Sequence, residues 1–88
     1  MNIQIGKLYQ VNCNYDLIPA PSWKPANHKI SSYRKDTFII PIECQTEDGN
    51  ENKLAIKVLT QNGKIGWLLC MRNKLNKHLI LFSSPVNK

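Results

Sequence analysis

The sequence predicts an all-β fold of five short strands, and three observations carry that expectation. Apolar and polar residues alternate with a period of two in several short runs, as half-buried strands require. Asn62-Gly63 lies between two apolar runs, which is a strong hairpin signal. Pro19, Pro21 and Pro25 forbid a helix through the one long stretch that lacks any period.

The hairpin over 53–71 is the best-specified stretch. With Asn62 and Gly63 as the two left-handed residues of a type I′ turn, Gln61 faces Lys64 and the register follows. Val58 then stands opposite Trp67, Ile56 opposite Leu69 and Leu54 opposite Met71, so one face is apolar throughout. The other face sets Lys57 against Leu68 and Lys53 against Arg72.

The remaining elements follow in chain order. Residues 3–13 alternate as a first strand, with Tyr9, Val11 and Cys13 on one side and Gly6 as a bend at its entry. The loop over 16–36 carries no regular structure, and a loop this long in a small domain is usually functional or disordered. Residues 37–46 form a second strand, with Phe38, Ile40, Ile42 and Cys44 facing in and Ile39, Pro41, Glu43 and Gln45 facing out. Pro41 has no N–H for a ladder, so an edge or a bulge is expected there. Residues 47–52 read as a turn. The hairpin supplies strands three and four. Residues 72–77 break the period and are short enough for one 3₁₀ turn before a last strand at 78–83.

Eighty-eight residues make one domain, expected over 1–83, with a flexible tail at 84–88. Such a chain buries little more than about 60% of its unfolded surface, so its core is small. The longest apolar run, 65–71, is too short to span a membrane as a helix. The opening residues lack the pattern of a signal peptide, and a soluble, cytoplasmic protein is expected. Cys13, Cys44 and Cys70 are odd in number and widely spaced, which suits free thiols in a reducing compartment. A zinc site from these three with His28 or His78 lacks ligand spacing, so no metal or cofactor is expected.

The net charge of +6 is uneven. Glu43, Glu47, Asp48 and Glu51 cluster around one turn, whereas 52–88 carries no acid and seven cations. That asymmetry suits an anionic partner, and equally a solvated, solubilising face. The abundance of Lys, Asn and Ile reads as coding bias from an AT-rich genome, such as that of a phage or other mobile element.

Five short strands, a long loop after the first and a 3₁₀ step before the fifth resemble the order of an SH3-like small β-barrel. The sequence Asn62-Gly63-Lys64-Ile65-Gly66-Trp67-Leu68 is similar to the distal hairpin of bacterial SH3-type domains, and Gly6-Lys-Leu-Tyr-Gln-Val11 to their first strand. The resemblance implies that the residue after the Trp, Leu68, is buried. The two-residue turn instead puts Trp67 and Leu69 inside. A bulge at Gly66 reconciles the two, and both remain open at this point.

No catalytic constellation is present. No serine has a nucleophile-elbow setting, and the glycines are too scattered to cradle phosphate. A non-enzymatic binding module is expected, with no small-molecule substrate and no membrane. Its first candidate surface is a basic face of Lys53, Lys57, Arg72, Lys74 and Lys77 for nucleic acid or a nucleoprotein complex. The second is the long loop, where Trp23 and Tyr33 are interleaved with Lys24, Lys29 and Arg34. The resemblance implies that this loop meets partners. Aromatics beside cations suit base stacking, and they equally anchor protein interfaces. The alternative function is therefore a protein–protein module, an adaptor or small inhibitor docking on a larger complex. Trp23 could equally fold back to cap an open end of the barrel.

Overall fold

The computed structural model describes residues 3–21, 29–47 and 49–82. Trp23, Lys24 and the tail at 84–88 lie outside them. Alternation of apolar and polar residues builds seven strands among the described residues. They are β1 Tyr9–Val11, β2 Tyr15–Leu17, β3 Ser31–Tyr33, β4 Thr37–Glu47, β5 Asn50–Thr60, β6 Ile65–Met71 and β7 Leu79–Leu81. A 3₁₀ turn, Arg72–Lys74, runs into one α-turn, α1 Leu75–His78, where a single 3₁₀ turn was expected. Five strands form an antiparallel sheet in the order β6-β5-β4-β1-β7, and β2 and β3 form a separate ladder. Among the described residues no ladder joins β6 to β7, so the sheet is open rather than a closed barrel.

The loop expected over 16–36 is not structureless. Tyr15 and Tyr33 lie opposite each other on β2 and β3, with their rings stacked at 5.1 Å. The first strand is shorter than 3–13, because Gly6 adopts φ +84 and gives its N–H to the Pro41 carbonyl instead of a ladder.

The hairpin register differs by one residue from the two-residue turn. Lys57 pairs with Trp67, Ile56 with Leu68, Leu54 with Cys70 and Lys53 with Met71. Thr60 N–H donates to the Lys64 carbonyl at 2.8 Å and Gly63 N–H to the Thr60 carbonyl at 3.0 Å, which closes a three-residue loop. Only Gly63 in that loop has positive φ, at +86, as in a type I turn followed by a bulged glycine. The Thr60 hydroxyl accepts from Lys64 N–H at 3.0 Å and holds this longer loop.

That shift places Leu68, at 3% exposure, in the core with Leu54, Ile56 and Val58. Trp67 points from the opposite face. On β4 the expected faces are reversed as far as Pro41, for Ile39 and Pro41 are buried on the core face, whereas beyond it Cys44 stands opposite the core residue Ile56, on the face expected for it. Residues 38–42 are apolar at every position, so alternation cannot choose between their faces. Ile42 is the extra residue of a bulge between Pro41 and Glu43, just where the proline interrupts the ladder.

Candidate functional site

The open sheet has two faces, and only one carries the main core. On the core face stand Tyr9, Val11, Ile39, Val58, Leu68 and Leu79. The register fixes what lies behind them. Ile40 pairs with Leu59 and Leu59 with Ile65, while Gln10 pairs with both Phe38 and Ile80. Phe82 N–H donates to the Leu8 carbonyl at 2.9 Å, which brings those two residues side by side. An apolar row, Phe82–Leu8–Ile40–Leu59–Ile65, therefore crosses all five strands on the outer face. Ile80 and Phe38 flank it, and the Phe38 and Phe82 rings meet edge-on at 5.6 Å. Ile65, Ile80 and Phe82 are 52%, 45% and 47% exposed. Leu8, Phe38, Ile40 and Leu59 are half-buried around a dent of about 70 Å³.

The sequence places none of these seven residues at a binding surface, and it turns Phe38 and Ile40 inward, where the register puts them on the outer face. A usable signal was there. Residues 38–42 and 79–82 are apolar without a break, a pattern that marks strands covered on both faces.

The expected basic face does not assemble as drawn. Lys53 lies across from Met71, not Arg72, and makes an ion pair with Glu47 at 3.6 Å. Lys57 is flanked across the ladders by Glu43 on one side and Trp67 on the other. Arg72 donates from Nε to the Glu51 carbonyl at 2.9 Å. Lys74 and Lys77 are exposed on the helical turn, whose buried anchor is Leu75. The structure thus separates the five cations into an acid-flanked pair on the sheet and three on the turn.

Of the loop residues, Tyr33 is tied down. Its hydroxyl donates to Asn62 Oδ1 at 2.8 Å, and its ring stacks on Tyr15, linking the β2–β3 ladder to the β5–β6 turn. Lys29 lies 3.9 Å from the Asp16 carboxylate, and Arg34 is exposed.

A cleft of about 360 Å³ opens between β2 and β6. Burial pushes the Tyr15 phenol on its wall up to about 12, while the Thr37 hydroxyl beside it acts in the opposite direction. Neither hydroxyl finds a partner in hydrogen-bonding geometry among the described residues. Burial also pushes the Cys70 thiol up to about 11 and raises that of Cys13, so both are neutral at physiological pH and poor nucleophiles. Among the described residues no three His, Cys, Asp or Glu side chains converge on a metal position, and no helix is long and apolar enough to cross a membrane.

Compared with protein families, curated proteins and solved structures, the chain gives no match.

Proposed function

We propose that this chain is a non-enzymatic protein-interaction module, an adaptor or small inhibitor, that docks on a larger partner through the outer face of its sheet. The observation that carries the reading is the apolar row from Phe82 to Ile65 across five strands. Magnitudes favour it over the basic residues. Burying an exposed Ile or Phe is worth roughly 1.5–3 kcal/mol each. An exposed ion pair contributes only about 0–1 kcal/mol, and here two of the cations already face acids. The net charge of +6 makes an acidic partner the natural occupant and works against a second copy of the chain.

At the level of architecture we read the chain as an SH3-like module. The sheet order, the β2–β3 excursion after β1 and the 3₁₀ turn before β7 support this. The test is capture of the partner by the whole chain from its own cells. Binding that survives nuclease and moderate salt but is lost in Ile80→Ser/Phe82→Ser supports the proposal. Binding retained in that double variant removes the face.

A second reading keeps nucleic acid or a nucleoprotein as the partner, through Arg72, Lys74 and Lys77. It is favoured by one observation: Lys74 and Lys77 stand exposed on a turn whose 3₁₀ segment has no acid in its first turn. Its test is the salt dependence of binding to short DNA and RNA.

A further inference from the structure

The β2–β3 ladder reaches β6 through one antiparallel bridge, Ile18 to Trp67. Ile18 N–H donates to the Trp67 carbonyl at 2.9 Å, and Trp67 N–H donates back to the Ile18 carbonyl at 2.8 Å. Backbone groups two residues apart on a strand point the same way. The N–H and C=O of Leu69 therefore face β2, and those of Asp16 face β6. These two residues would form the next rung. Among the described residues no ladder continues from the bridge to this rung, since β2 pairs only with β3 and the bridge stands alone. The cleft of about 360 Å³ lies between them, lined by Asp16, Leu69, Tyr15, Cys70, Val11 and Leu79. Its volume is that of a ligand pocket. Its walls are largely apolar, and the carboxylate at its mouth is Asp16, whose side chain is 56% exposed.

We propose that this cleft binds an extended peptide of apolar–basic–apolar pattern by strand addition to the Leu69 edge of β6. The occupant follows from the two kinds of group the cleft presents. Unpaired N–H and C=O groups along a strand edge are matched by the backbone of another strand. The peptide residue whose backbone meets Leu69 sends its side chain to the outward face that Leu69 and Asp16 share. A Lys or Arg there lies beside the Asp16 carboxylate, the favourable cross-strand charge pairing. Its two neighbours point the other way, toward Tyr15, Cys70 and Val11, and must be apolar. Lys29 yields its place, since its contact with Asp16 at 3.9 Å is long and more than half exposed. This site lies at the β2 side of β6, apart from the Ile80 and Phe82 end of the outer face, and its occupation does not depend on that reading.

The test uses the ¹⁵N-labelled whole chain and a capped pentapeptide with Val-Lys-Val at its centre. The expected result is saturable shifts of the Asp16, Tyr15, Leu69 and Cys70 amides, with slowed exchange at Leu69. Glu in place of the central Lys should weaken binding at least about tenfold. N-methylation of that residue should abolish it. Asp16→Asn, whose spectrum reports its fold, should bring the Lys and Glu peptides to similar affinity. Shifts confined to the outer face around Ile65 and Phe82, equal binding of the N-methylated peptide, or no saturation would each overturn the proposal. None of these results depends on Ile80→Ser/Phe82→Ser, so the two readings can fail separately.

Discussion

Lys57 on β5 lies directly across the ladder from Trp67 on β6, and Trp67 is buried to 8% exposure on the face turned away from the main core. Glu43 flanks Lys57 on the other side. Lys57 thus has an acidic residue across one ladder and an aromatic one across the other, while the indole is the larger buried group. Trp67→Ala should cost roughly 3–5 kcal/mol in urea unfolding. Lys57→Ala should cost less than about 1 kcal/mol, the worth of a cross-strand charge pair. Comparable losses in the two variants would contradict this assignment of faces.

The β5–β6 turn makes a sharper distinction. Gly63 has φ +86, where a side chain is strained, so Gly63→Val should cost more than about 1 kcal/mol. Asn62 is not at positive φ, and its Oδ1 accepts from the Tyr33 hydroxyl at 2.8 Å and the Thr60 hydroxyl at 2.5 Å. A two-residue turn would make Asn62→Gly almost neutral. Here that substitution should cost about 1 kcal/mol through lost hydrogen bonds, read by thermal unfolding of the two variants side by side.

Tyr15 and Cys70 carry the largest shifts among the groups that make stability depend on alkaline pH. Burial raises the phenol from 10.0 to about 12 and the thiol from 9.0 to about 11. Below pH 9 the folded and unfolded chains both hold these protons, and the stability is fully present. As pH rises, the unfolded chain releases them first, so stability falls progressively from about pH 9 to about 12. Tyr15→Phe removes one of these groups together with a hydroxyl that has no partner among the described residues. Its stability at neutral pH should be equal or higher, and its loss between pH 10 and 12 smaller. Urea titrations across that range measure both. A variant as alkali-sensitive as the parent contradicts the account.

Nucleic acid binding, if mediated by the turn alone, should be weak and steeply salt-dependent. Two or three phosphate contacts from Arg72, Lys74 and Lys77 give a slope in log K against log salt of about −2 to −3. Lys74→Ala with Lys77→Ala should flatten that slope. Tight binding at physiological salt, indifferent to these two substitutions, would contradict the placement of the cations.

The existence of the hairpin was legible in the sequence, but its register was not. Asn-Gly serves a two-residue type I′ turn and a three-residue loop with a bulged glycine alike. The difference lies in the Thr60 hydroxyl, which reaches Lys64 only once the fold exists. Alternation located the first strand's inward residues, Tyr9 and Val11, because polar residues separate them. It failed on β4, where apolar residues fill both faces. The short strands β2 and β3 left too few residues for a period to show, and prolines lie between them. The outer apolar row was hidden for a related reason, since its members come from five strands and only the register aligns them.

The most direct test of the outer face is site-specific photo-crosslinking in the protein's own cells. A photoreactive residue replaces Ile80 in one variant and Lys74 in another. The account predicts a saturable crosslink from position 80 to one acidic protein, unchanged by nuclease and lost when Ile65→Ser and Phe82→Ser are added. A crosslink only from position 74 that disappears with nuclease, or none from position 80, would contradict it.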